Sequence, residues 1–135
     1  MRIHLVEDNI DMLESLQVLL RLRGFEVKGY LRALDLVDRA HELQPGDIVI
    51  TDYYLPDLNG VELLRRVREA EPGVRALLLT GSREESIARL ARNVPGCEVL
   101  YKPLELEGLE RAILSLDEPG RTASRGPRRS GSARA

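Results

Sequence analysis

Apolar positions along the chain follow two alternating patterns. Short apolar runs occupy residues 2–6, 26–30, 47–51, 76–80 and 98–101, and between them apolar residues recur at spacings of three and four. The first run ends at Glu7-Asp8. Residues 10–23 then place Leu13, Leu16 and Leu20 on one face, with Gly24 as a stop, which predicts a helix. After a weaker strand at 26–30, Leu34, Val37 and Leu43 predict a second helical stretch. Pro45-Gly46 punctuates before Asp47-Ile48-Val49-Ile50-Thr51, a β-branched run suited to a strand buried on both faces. Asn59 with Glu62 has the form of a capping box opening a helix with Val61, Leu64 and Val67 inward, and Pro72-Gly73 closes it. Ser82 with Glu85 has the same form ahead of a fourth helix. Pro103 is expected to open a fifth, carrying Leu106, Leu109, Ile113 and Leu116. Five strands interleaved with five helices through short connections predict an α/β fold, a parallel sheet covered on both faces.

Composition narrows the class. At 135 residues and 43% hydrophobic, the chain fits one domain with one sizeable core. No apolar run approaches the ~18–20 residues of a membrane span. The first residues meet acid too early for a secretory signal. Cys97 is the single cysteine, and His4 and His41 have no zinc-type spacing, so a reducing cytoplasm is the expected setting. Residues 1–117 carry a net charge of −6, which argues against direct DNA binding by that part; residues 118–135 carry +4. That last stretch has no Leu, Ile, Val or Phe, and is expected to be a disordered basic tail or linker after a domain spanning 1–117. Met1 immediately before the first strand suits a chain that begins with this domain, and the output would then be a separate protein or a domain outside this chain.

In an open parallel sheet, ligands sit beyond the carboxyl ends of the strands. The polar residues ending the runs here are Glu7 and Asp8, Asp52, Thr80 and Lys102. Each alone is ordinary: a strand-end acid is usually a cap or a solvated loop residue. Together they supply three carboxylates, a hydroxyl and an ammonium at one edge. Two carboxylates at ~4 Å repel by about 4 kcal/mol at an effective dielectric near 20. A hard cation relieves that, and all-oxygen donors suit Mg²⁺, with Mn²⁺ as the alternative ion. A metal, a nucleophilic carboxylate and a hydroxyl donor suit phosphoryl transfer through an aspartyl phosphate.

These residues resemble the receiver domain of bacterial two-component response regulators over roughly residues 1–117. Leu5-Val6-Glu7-Asp8-Asn9 is similar to that family's acidic opening. The stretch from Asp47 through Asp52 to Pro56 and Gly60 is similar to its phosphoacceptor segment, Leu77-Leu78-Leu79-Thr80-Gly81 to its hydroxyl strand end, and Lys102-Pro103-Leu104 to its lysine–proline turn. The resemblance implies a doubly wound, flavodoxin-like sheet in order 2-1-3-4-5 with five helices. It implies that Asp52 accepts phosphate from a sensor histidine kinase or phosphotransfer protein. Asp8, Asp52 and the main-chain carbonyl of Tyr54 would hold the metal directly and Glu7 through water, while Thr80 and Lys102 would contact the phosphoryl group. Phosphate would then shift a two-state equilibrium toward an active surface around the fourth helix and fifth strand, acting on an output partner or domain or on a phosphorylation-dependent homodimer.

One position departs from the family pattern. Where members carry an aromatic switch residue three before the lysine, this chain has Val99; Tyr101, two residues on, lies on the same side by strand alternation. Switching and plain packing both remain open for Tyr101. The bulk of Tyr54 would shield an acyl phosphate from water. Two other readings stand beside the phosphoacceptor switch: a receiver-like interaction domain not regulated by phosphorylation, and a small Mg²⁺-dependent phosphohydrolase. Against the latter, Tyr54 stands where a second acid would be needed. The chain reads as a signalling module, not a metabolic enzyme. Cys97, His4 and His41 read as structural residues.

Overall fold

The computed structural model describes residues 1–81 and 84–117. The expected basic tail and Ser82, the expected helix cap, lie outside the described residues. The elements are β1 (Ile3–Val6), α1 (Ile10–Leu22), β2 (Val27–Tyr30), α2 (Ala33–Asp38), a 3-10 turn (Ala40–Glu42), β3 (Ile48–Asp52), α3 (Gly60–Ala70), β4 (Arg75–Thr80), α4 (Glu85–Arg92), β5 (Cys97–Tyr101) and α5 (Leu106–Leu116).

All four strand pairings are parallel, in the order β2-β1-β3-β4-β5. The register sets Val6 beside Thr51 and Asp52 beside Leu79, so the carboxyl ends of the central strands finish level. Strand order reverses direction at β1, and the crevice beyond the carboxyl ends of β1 and β3 is the topological switch point of such a sheet.

Alternation divides the core in two. Ile3, Leu5, Ile48, Ile50, Leu77 and Leu79 pack against α1 and α5. Val6, Val49, Ala76 and Leu78 pack against α2, α3 and α4. Every residue of β3 is buried, as the β-branched run predicts. Asn59 caps α3, its Oδ1 accepting from Glu62 N at 2.8 Å, but the Glu62 carboxylate turns to Arg66 and Arg65 without completing the box.

Two expectations need correction. The second helical stretch does not bury Leu34, which is exposed. The helix ends at Asp38 and tightens into the 3-10 turn, which changes its phase and buries Ala33, Leu36, Ala40 and Leu43. Pro103 does not open the last helix. Lys102 N still donates to Thr80 O at 2.9 Å, so the chain leaves the sheet only at Pro103, follows a cis Lys102–Pro103 peptide, and needs residues 103–105 to turn before Leu106.

Candidate functional site

β1 delivers Glu7 and Asp8 to the switch point, and β3 delivers Asp52 one strand away. Ligand oxygens of all three lie within 4.8 Å of one another. Glu7 and Asp52 are buried and Asp8 is exposed, so the cluster opens to solvent on the Asp8 side. From the far side of β4, Lys102 reaches back: its Nζ lies 3.0 Å from Asp52 Oδ1 and 3.9 Å from Glu7 Oε1. The buried Asp52 Oδ1 thus meets the Lys102 ammonium as an ion pair. Thr80 is buried at the end of β4.

The electrostatics follow from this crowding. Burial, then the neighbouring Asp52, pushes the Glu7 carboxyl up to about 7; the Asn9 N–H, donating to Glu7 Oε2 at 3.1 Å, and Lys102 oppose that. Three carboxylates whose ligand oxygens lie within 4.8 Å of one another, answered by one lysine, fit a hard divalent cation by donor chemistry. The site therefore brings together Glu7, Asp8, Asp52 and Lys102, with Thr80 at the end of the neighbouring strand β4.

The remaining candidates sit around it. Tyr54 is 63% exposed at the rim, its ring edge-on to Tyr53 at 4.8 Å and its hydroxyl donating to Glu84 Oε1 at 3.4 Å. Val99 pairs with Leu78 and is half-buried against the core on the α4 side, whereas Tyr101 pairs with Thr80 at the strand end.

Some contacts have no counterpart in the sequence pattern. Gly60 packs so closely on the end of β3 that a Cβ there would stand 2.4 Å from the Asp52 carbonyl oxygen and 2.7 Å from Leu78 Cδ1. Asp57 accepts backbone N–H bonds from Ala33, Leu34 and Leu58. Within the sheet, buried His4 of β1 lies between the Tyr30 hydroxyl (Nδ1, 3.0 Å) and Asp47 Oδ2 (Nε2, 3.1 Å). Cys97 is half-buried at the start of β5, and burial pushes its thiol up to about 12, which makes it inert as a nucleophile.

A doubly wound sheet with acids and a lysine gathered at its switch point is the arrangement expected of an α/β domain of the response-regulator type. The family model for the response regulator receiver domain matches residues 3–114, and the chain belongs to that family. The chain is 30% identical over 114 residues to the transcriptional regulatory protein FixJ of Rhizobium meliloti, covering 82% of this chain and 55% of that protein. It is 30% identical over 112 residues to the response regulator receiver protein CpdR of Brucella abortus, covering 83% and 92%. The crystal structure of a response regulator receiver domain protein from Clostridium thermocellum superposes with a TM-score of 0.75 at 28% identity, covering 86% and 93%. The chain thus spans about half the length of FixJ and nearly all of CpdR. These are receiver domains of two-component signalling, and neither the phosphohydrolase nor the unregulated interaction domain is favoured beside them. Among the described residues, no helix is long and apolar enough to cross a membrane.

Proposed function

We propose that this chain is a cytoplasmic phosphoacceptor switch, a domain over residues 1–117 whose Asp52 receives a phosphoryl group from the phosphohistidine of a sensor kinase or phosphotransfer protein. A carboxylate oxygen of Asp52 attacks phosphorus as the phosphorus–nitrogen bond breaks, and the imidazole leaves with the electron pair. Asp8, Asp52 and the Tyr54 main-chain carbonyl would hold Mg²⁺ or Mn²⁺, with Glu7 acting through water. Bound there, the ion would neutralise phosphoryl charge during transfer. Lys102 pairs with the added charge and Thr80 donates to a phosphoryl oxygen. Tyr101 follows Thr80 and reshapes the surface of α4 and β5, read by an output protein, a linked domain or a second copy of the chain.

The supporting observation is the convergence of Glu7, Asp8 and Asp52 within 4.8 Å beside a lysine 3.0 Å from the acceptor carboxylate. Acetyl phosphate with Mg²⁺ should add one hydroxylamine-sensitive phosphate to the chain and none to Asp52→Asn. A chain that stays unmodified, or an Asp52→Asn variant modified equally, would refute the assignment.

A further inference from the structure

The loop that follows the phosphoacceptor strand, residues 53–59, is fixed at its base and its tip by different means. At the base, Tyr53 N donates to Leu79 O at 2.9 Å and Gly60 N to Tyr53 O at 2.7 Å. Along it, Tyr53, Leu55 and Leu58 are half-buried against the core, while Tyr54 and Pro56 are exposed. The Tyr54 peptide is therefore located by its neighbours and not by burial of its own side chain. At the tip, the Asp57 carboxylate reaches a different element. Oδ2 accepts from Leu34 N at 2.9 Å, and Oδ1 accepts from Ala33 N at 3.2 Å and Leu58 N at 3.0 Å.

The other half of the arrangement is a missing cap. Helices α1 and α3 are capped from the adjacent position, by Asn9 and Asn59. Helix α2 begins after Arg32, whose side chain makes no capping bond. The first N–H groups of α2 are thus satisfied by an acid from the phosphoacceptor loop. Desolvation pushes the Asp57 carboxyl up, but the N–H donors of Leu34, Ala33 and its own loop outweigh that and hold it below the ordinary carboxylate range. A group bound to two elements at once couples them: whatever orders one orders the other, and the coupling is reciprocal.

We propose that Asp57 is a positioning residue for the cation and phosphoryl site: clamping the tip of the 53–59 loop to the first turn of α2, it holds the Tyr54 peptide in register with Asp52. The inference rests on the reading of the Tyr54 carbonyl as a metal ligand. It makes Mg²⁺ affinity and the order of α2 two readings of one clamp, and distinguishes Asp57 from a residue that merely stabilises a short helix.

The test separates those roles with Asp57→Ala and with the double variant Arg32→Ser/Asp57→Ala, in which the introduced hydroxyl offers α2 a local cap but no tether. Isothermal titration with Mg²⁺ and amide exchange across Ala33–Asp38 are read for each. In the parent chain, Mg²⁺ should slow exchange in α2. Asp57→Ala should bind Mg²⁺ about tenfold more weakly and lose that effect. The double variant should regain melting temperature and basal α2 protection, yet keep the weak Mg²⁺ affinity and show no Mg²⁺-dependent protection. If Asp57→Ala does not fold, the capped double variant alone decides. Parent-like Mg²⁺ affinity in either variant would overturn the clamp while leaving the proposed function standing. A parent chain that does not bind Mg²⁺ would overturn both.

Discussion

The Lys102 ammonium lies 3.0 Å from Asp52 Oδ1 and 3.9 Å from Glu7 Oε1, so one cation from the end of β5 offsets two buried carboxylates from β1 and β3. Its side chain is 34% exposed, which leaves the ammonium hydrated and free to exchange partners. The same position would serve two states under the proposed function: Lys102 answers the acidic cluster here, and after phosphoryl transfer it would answer the added charge.

Removing that ammonium should have opposite effects on folding and on metal binding. Lys102→Ala should lower stability in EDTA by about 1–2 kcal/mol, less than the 3–5 kcal/mol of a fully buried pair because solvent screens the lysine. It should also bind Mg²⁺ more tightly, by about tenfold, since a like charge beside the ion is gone. Urea unfolding with and without Mg²⁺ measures both. Weaker Mg²⁺ binding in the variant would show that Lys102 does not compete with the ion.

Gly60→Ala should disturb the phosphoacceptor strand from behind. A Cβ 2.4 Å from the Asp52 carbonyl oxygen cannot be met by rotating a flexible side chain, because the obstructing atom is backbone. Overpacking of this kind costs about 1–3 kcal/mol, and here it acts on Asp52, the proposed phosphoacceptor. Both the urea midpoint and the rate of labelling by acetyl phosphate should fall. A parent-like midpoint would mean that the turn at Gly60 gives way freely.

How much of this was legible in the sequence depends on what each feature rests upon. Period-two and period-three-to-four patterns placed the strands, and their terminal polar residues, because alternation and burial are local consequences of order in the chain. Phase was lost at Leu34, where the helix shortens into a 3-10 turn, and at Pro103, where ladder pairing of Lys102 delays the helix. Asp57 lies between Pro56 and Gly60 of the family-like segment, but nothing near it in sequence marks the N–H groups of Ala33 and Leu34, 24 and 23 residues earlier, as its partners. His4 and Tyr30 were equally opaque, since their bond depends on strand register rather than on spacing.

The His4 network should give the fold a pH dependence of definite sign. Burial holds the imidazole below its ordinary value, and the Asp47 carboxylate offsets this only in part. The unfolded chain then binds a proton more readily than the native one below about pH 6.5, so this contribution is complete above that pH and is lost as pH falls. The raised Glu7 carboxyl acts in the opposite sense over the same range, so His4→Gln should make the slope of stability against pH between pH 5 and pH 7 less positive than the parent's, measured by urea unfolding. An unchanged slope would assign the dependence to other groups.

Tyr54 should govern the lifetime of the phosphorylated state. Its ring is edge-on to Tyr53 and its hydroxyl donates to Glu84, which fixes a bulky side chain two residues past Asp52, and the shielding role expected of it is testable. Tyr54→Ala should shorten the half-life of the acyl phosphate by severalfold, followed as loss of label after the donor is removed. A half-life equal to or longer than the parent's would refute the shielding role.

Of the two candidate switch positions, Tyr101 lies nearer Thr80 in the sheet register than Val99 does. Thr80 and Tyr101 are partners across β4 and β5, while Val99 sits opposite Leu78, deeper in the sheet and packed on the core. A hydroxyl that turns toward a phosphoryl group vacates space beside its strand partner first. Val99→Ala should therefore cost stability, on the order of 1 kcal/mol for a half-buried side chain, and leave the conformational response intact. Tyr101→Ala should accept phosphate at the parent rate yet roughly halve the amide chemical-shift changes in α4 and β5 produced by beryllofluoride, because the site fills but the surface no longer follows it. Equal shifts in Tyr101→Ala, or their loss in Val99→Ala, would move the switch to the deeper position.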